Sequence, residues 1–392
     1  MAVAEKIRQM MEGSSWVRRM FEAGIELRAR HGADRVCDFS IGNPDLEPPP
    51  SFHRVVRELL EDTTPRSHGY MPNAGYPEVR ESVARWISRE QGVSLRGESV
   101  IMTCGAGGAL NVALKTILNP GDEVVASSPC FMEYRFYAQN HGGELRLVRG
   151  REDFDLDLDS IGAALTARTA AVLINSPNNP SGRVYPETTI HALGELLERA
   201  SRRLGRSIYL LADEPYRRIV FDGVEVPSIL AAYRNSMIAS SYSKDLSIPG
   251  ERVGWLAVHP DAEAREELVN GAILCNRVLG FVNAPALMQR AVGLLQYECV
   301  DVGEYRRKRD RLCDALGSFG YQLHRPQGTF YLFPRAPGGD DLDFVRKLQE
   351  ELILAVPGRG FGLEGFFRIA FCVDDSVIER SLPGFRKAIQ GR

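Results

Sequence analysis

Little in this sequence is extreme, and its shortages narrow what the chain can do. An excess of one charge is missing: 48 Lys and Arg stand against 51 Asp and Glu, a formal net charge of −3 over 392 residues. Such a balance exerts no general pull on nucleic acid or an anionic membrane. No apolar stretch is long enough to span a bilayer. The opening MAVAEKIRQMMEGSSW mixes charges into its apolar residues and has no signal-peptide core. Cysteine is sparse: the seven are Cys37, Cys104, Cys130, Cys275, Cys299, Cys313 and Cys372, an odd and scattered set with no C-x-x-C pair. That argues against a disulfide framework or a zinc site and fits a reducing compartment. The expectation is a cytoplasmic protein that uses no metal. Repeats and low-complexity tracts are absent too, and no G-x-G-x-x-G follows an early strand, which disfavours a dinucleotide-binding dehydrogenase.

What is present is ordinary in amount and unusual in arrangement. The length suggests two or three domains, and 44% hydrophobic residues suffice for a large core. Two basic clusters, RRLGR (202–206) and YRRKRDR (305–311), read as solvated helix faces. A short apolar run recurs that ends in a polar or glycine-rich cluster and then gives way to helical periodicity. SVIMTC leads to GAGGALNVALKTIL, DEVVASS to PCFMEYRFYA, AAVLIN to SPNNPSG, SIYLLAD to EPYRRIV, and SMIASS to YSKDLSIPGERVGW. Such alternation predicts a mostly parallel sheet covered by helices, an α/β three-layer sandwich, with its ligand site beyond the carboxyl ends of the strands. The proline-rich IGNPDLEPPPS (41–51) reads as a linker into the large domain. Long helical patterns after about residue 285, the meander YQLHRPQGTFYLFPR and a final GFFRIAFCV read as a smaller α+β domain, completed by the N-terminal helices.

The residues at the strand ends carry the chemistry. TCGAGGAL (103–110), with Gly105, Ala106 and Gly107, opens a helix whose free N–H groups suit a phosphate, although a tight turn needs such glycines equally. Asp213 ends an apolar strand, where a carboxylate is costly without a positive partner; it is either a ligand contact or a cap for the next helix. Tyr216 lies three residues on. Asn178 and Asn179 are turn residues or are held beside a ligand oxygen. Lys244 follows IASSYS and precedes Arg252. A partly buried lysine near another cation has a lowered pKa and attacks carbonyls. Ser241 and Ser243 are hydroxyl donors suited to a phosphate. Together these groups call for a ligand with a phosphate, an aldehyde and a ring nitrogen that wants a carboxylate, which is pyridoxal phosphate.

At SPNNPSG, DEPY, S-x-S-K and R-V-G-W, in this order and spacing, the chain resembles the class I/II pyridoxal-phosphate aminotransferases of fold type I, from IGNPDLEPP to FRIAF. The resemblance implies an aspartate-aminotransferase-like fold. Its large pyridoxal-phosphate-binding domain spans 48–285, and 1–47 and 286–392 form the small one. It further implies amino transfer from an L-amino acid to a 2-oxo acid by a ping-pong mechanism through a Lys244 aldimine, Lys244 also shuttling the proton. Asp213 would keep the pyridine nitrogen protonated, and Tyr216 and Asn179 would donate to the ring's phenolic oxygen. Arg252, Ser241 and Ser243 would hold the phosphate, joined by N–H groups of the loop at Ala106 and Gly107. Phe131 would stack on the ring, and Tyr70 would reach the phosphate of a partner subunit, which implies a homodimer with shared sites. Arg368 would clamp the substrate's α-carboxylate, with Gly42 and Asn179 beside it. Pro129 and Pro180 would follow cis peptide bonds. The phosphate loop departs from the family at one place. Where related aspartate aminotransferases read G-G-K-Q-A-L, with a lysine on the distal carboxylate, this chain has Gly107. Aspartate is therefore not the expected substrate unless Arg359 or Arg335 takes that role. The same fold also supports C–S or β-lyases and synthases, the alternative reading, and it serves as a sensing module in some transcription regulators, for which no winged helix is left room.

Overall fold

Seven short runs pair into one sheet: six carry Val, Ile, Leu, Met or Ala at their centres and are bounded by polar turn residues, and the edge run Glu144–Arg149 mixes Leu and Val with charged residues. The computed structural model describes residues 3–12 and 16–390; residues 1, 2, 13–15, 391 and 392, parts of the stretches 1–47 and 286–392 expected to form the small domain, lie outside them. The strands are β1 (Val100–Thr103), β2 (Glu123–Ser128), β3 (Glu144–Arg149), β4 (Thr169–Asn175), β5 (Tyr209–Asp213), β6 (Ser236–Ser241) and β7 (Gly254–Val258). They lie side by side in the order β1-β7-β6-β5-β4-β2-β3. The pairs β2–β3, β2–β4, β4–β5 and β5–β6 are parallel. Only β7 runs against its neighbours β1 and β6.

Alternate residues of one strand enter different cores, which is what period-two side-chain geometry dictates. Val172, Ile174, Leu210 and Ala212 pack on one face with the helices Pro77–Gln91 and Glu187–Leu204. Ala171, Leu173 and Leu211 pack on the other with the helices Gly105–Ile117 and Arg265–Val278. The result is helix, sheet, helix. Both faces are covered, so β2 and β4 are buried along their whole length.

A second body has its own core. Phe330, Phe333, Phe344, Phe367 and Phe385 are fully buried in it, and Met20, Cys37 and Phe39 from the N-terminal stretch join them. Its strands are short. Tyr331–Leu332 and Val356–Pro357 flank Phe367–Ala370 in antiparallel fashion, and Cys37–Asp38 pairs in parallel with Ile353–Leu354. Just past the boundary expected at residue 285, Met288, Ala291 and Val292 of the helix Ala286–Leu294 still pack in the first core, while Val300 packs in the second, which Phe154, Tyr216, Ile219 and Phe221 also enter. Amphipathic periodicity tells that the helix is packed, not which core receives it. Two further expectations are corrected at the strand ends: after Asp213 and Ser241 the chain makes turns, with a single 3₁₀ turn at Pro249–Glu251, rather than helices. No helix among the described residues is long and apolar enough to cross a membrane.

Candidate active site

The carboxyl ends of β1, β2, β4, β5 and β6 open on one cavity of about 490 Å³, closed from the opposite side by the second body. One end of the cavity is built for an anion. The helix Gly105–Ile117 starts with no side-chain cap on its amide groups, and Ala106 and Gly107 from its first turn line the cavity. Gly105 has φ +73°, and a Cβ there would lie 2.8 Å from the Arg252 guanidinium, so only glycine brings the loop this close. Arg252, itself in the left-handed region at φ 50°, donates through Nη1 to the Pro249 carbonyl at 2.8 Å. Ser241, at the end of β6, and Ser243 complete this end.

Deeper in, Asp213 ends β5 with its carboxylate fully buried. Its Oδ2 accepts from the Tyr134 hydroxyl at 2.6 Å, and its Oδ1 has no partner among the described residues. Burial pushes the carboxyl up to about 7, against the pull of the Tyr134 hydrogen bond. The neighbouring strand fixes the backbone here. Asn175 of β4 donates to the Asp213 carbonyl at 2.7 Å and accepts from the Asn179 N–H at 2.6 Å. A buried carboxylate oxygen without a donor is costly, and its surroundings await a donor from a ligand.

Lys244 stands across from it. Its Nζ donates to the Gly42 carbonyl at 2.8 Å and lies 5.9 Å from the Tyr216 ring and 5.4 Å from the Phe330 ring. Burial brings the ammonium down to about 8, with Arg368 and Arg252 adding repulsion and the Cys372 thiol opposing them. The lysine is thus a free amine in part near neutral pH.

The second body supplies the remaining wall. Arg368, in Phe367–Ala370, donates to Asn179 Oδ1 at 3.1 Å and to the Ser40 carbonyl at 2.6 Å, and its Nε is buried without a partner among the described residues. Its guanidinium lies 4.4 Å over the Tyr331 ring and 4.7 Å from that of Phe361, which hold it flat. The Tyr331 and Tyr216 hydroxyls are 2.9 Å apart. A Cβ on Gly42 would fall 1.8 Å from the Tyr331 hydroxyl, so the residue must be glycine.

Of the residues singled out in the sequence, the cavity brings together Gly42, Ala106, Gly107, Phe131, Asn179, Asp213, Tyr216, Ser241, Ser243, Lys244, Arg252 and Arg368. Gly105 stands just behind. Asn178 turns away, its Oδ1 accepting from the Ser181 N–H and hydroxyl. Tyr70 lies outside this cavity and is 96% exposed. The peptide bonds before Pro129 and Pro180 are cis, and so is that before Pro177. Neither arginine named as a stand-in for the missing lysine reaches the cavity. Arg359 is bound to Asp341 at 2.8 Å, and Arg335 is exposed over the Phe366 ring. Sequence reasoning passed over Asn175, Tyr134, Tyr331, Glu133 and Tyr137. Asn175 had a signal, since it ends the run AAVLIN as Asp213 ends SIYLLAD. The others sit in helix or strand patterns that any core residue shares.

Comparisons with known proteins place the chain in a family. The family model for aminotransferase class I and II matches residues 34–383. A probable aspartate aminotransferase of Methanocaldococcus jannaschii is 29% identical, over 88% of this chain and 91% of its own length. A probable aspartate/prephenate aminotransferase of Thermus aquaticus is 30% identical, over 93% of this chain and 94% of its own. An amino transferase of Eubacterium rectale superposes with a TM-score of 0.96 at 37% identity, covering 100% of this chain and 99% of its own.

Proposed function

The chain belongs to the class I and II aminotransferases, and on that premise we propose that it moves the amino group of an L-amino acid to a 2-oxo acid with pyridoxal phosphate as cofactor. One observation carries this reading. A lysine with a depressed pKa, a buried carboxylate with one unpartnered oxygen and an uncapped helix start beside an arginine share a single cavity. The residues fit the cofactor. The orphaned Asp213 Oδ1 suits a protonated ring nitrogen, and the first-turn amides with Arg252, Ser241 and Ser243 suit a phosphate.

Pyridoxal phosphate supplies, when bound, an aldehyde that condenses with amines and a ring that withdraws electrons from the substrate's α-carbon. The chain does the rest. Asp213, with Tyr134 at its other oxygen, would stay ionised against a protonated ring nitrogen. Tyr216 and Asn179 would supply donors for the ring's phenolic oxygen, and Phe131 would supply an aromatic surface for the ring. Arg368 binds the α-carboxylate with its planar fork, oriented by Asn179, Ser40 and the two aromatic rings. Lys244, freed from the Gly42 carbonyl, would take the proton from the substrate's Cα as a general base and hold it as the ammonium for return as a general acid. The first amino acid leaves as its oxo acid before the second oxo acid enters, the two halves of a ping-pong cycle. We assign the large body to 48–298 and the small one to the remainder, and place the enzyme in the cytoplasm as a homodimer in which Tyr70 serves the partner's site.

Replacing Lys244 by Ala tests the reading. Transamination falls by about 10²–10⁴-fold or more, measured as oxo-acid formation, while the variant still binds the cofactor. Wild-type turnover by Lys244→Ala contradicts it.

A further inference from the structure

Three walls of the cavity are accounted for: Arg252 and the helix start, Asp213, and Arg368 with Asn179. One wall is not. The helix Glu133–Asn140, which comes after Phe131, brings Glu133 and, one turn later, Tyr137 to the cavity surface. The Glu133 carboxylate is half-buried, and among the described residues it has no hydrogen bond or ion pair. Burial raises its pKa, and no cation opposes that rise. The Tyr137 hydroxyl stands 3.2 Å from where a Cβ on Gly107 would be, so it occupies the space into which a longer side chain at 107 would extend. The burial of that hydroxyl and the nearby Glu133 both raise its pKa, so it remains a neutral phenol.

Among the described residues the lining cations are three: Lys244, Arg252 and Arg368. On the aminotransferase reading, on which this inference rests, each is engaged, by the reacting nitrogen, the phosphate and the α-carboxylate. A second carboxylate on the substrate would find no free lining cation among the described residues and would meet Glu133. A side chain ending in an N–H or O–H donor would find an unpaired acceptor there. We infer that Glu133, with Tyr137 beside it, is a specificity-determining pair that admits amino acids ending in a hydrogen-bond donor and turns away those ending in a carboxylate. A plainer role for Glu133, an acid in the first turn of its helix, affects stability and leaves substrate preference unmoved.

Isosteric pairs separate the two. The holoenzyme is given asparagine against aspartate and glutamine against glutamate in single half-reactions followed by cofactor absorbance. Succinamate is compared with succinate by calorimetry, a readout that needs no turnover. Wild type favours the amide by about tenfold or more in both readouts, and Glu133→Gln, with an unchanged circular dichroism spectrum, brings each ratio to within about threefold of unity. Preference for the acid in the wild type, as a cation donated by a second copy would produce, overturns the inference, and so does a ratio that Glu133→Gln does not move. If no amino acid reacts while succinamate still outbinds succinate in a Glu133-dependent way, the transfer reading fails and the subsite stands.

Discussion

The two sides of the cavity are held in place by different means. On the sheet side, Asp213 and Lys244 are buried charged groups left short of partners: one carboxylate oxygen has none, and the lysine has only a backbone carbonyl. On the side of the second body, Arg368 is clamped by two acceptors and two aromatic rings in a core of phenylalanines. Both sides thus bury a polar atom that has no partner among the described residues, Asp213 Oδ1 on the first and Arg368 Nε on the second. They differ in what fixes the group: backbone contacts and burial hold the first pair, whereas aromatic packing holds the guanidinium as a fixed fork. Substitutions on the first should therefore change chemistry and the stability of the cofactor-free protein. Those on the second should change substrate binding.

The largest effect that sharpens this contrast is expected at Arg368. Arg368→Gln removes the cationic fork and raises KM for amino acids by roughly 30-fold or more, about 2–5 kcal/mol, with a much smaller change in kcat. Steady-state kinetics checks it; equal losses in kcat and KM would blur the division between the two sides.

A comparable effect of opposite sign is expected at Lys244. Its pKa falls from 10.5 to about 8 on folding, so burying the ammonium costs roughly 3 kcal/mol wherever both folded and unfolded forms are protonated. The unfolded chain binds more protons between pH 8 and 10.5, so the penalty shrinks as pH rises through that window. Lys244→Met should thus stabilise the cofactor-free protein at pH 7 by up to roughly 3 kcal/mol, with the gain fading towards pH 10.5. Urea unfolding at several pH values measures it, and no gain at pH 7 would mean that burial of the lysine carries no cost.

The same contrast explains what could be read from the sequence. Asp213, Ser241, Lys244 and the Gly105 loop each end or follow a strand, so local pattern displays them; parallel pairing brings the ends of β5 and β6 together, and β7, antiparallel to both β6 and β1, leaves β1 running the same way. Tyr331 reaches Arg368 through antiparallel pairing of strands whose partners are Ala370↔Tyr331 and Val356↔Arg368, a register that no local pattern states. Tyr134 meets Asp213 across 79 residues of chain. Glu133 and Tyr137 look like an ordinary exposed acid and an ordinary helix aromatic until the turn after β2 aims their helix at the cavity. The helix Ala286–Leu294 was legible as a packed helix, yet the core it joins depends on the partners it meets, Val79 and Val83 among them. The resemblance supplied Arg368 and Gly42, which nothing in their immediate neighbourhood marks as special.

If Lys244 is the nucleophilic amine of this cavity, labelling reveals it without any assay of turnover. The protein is mixed with pyridoxal phosphate, reduced with borohydride and digested, and the modified peptide is identified by mass spectrometry. Stoichiometric label is expected on Lys244, with labelling faster as pH rises through about 8. Label on another lysine, or none above the level of the unfolded chain, would contradict it.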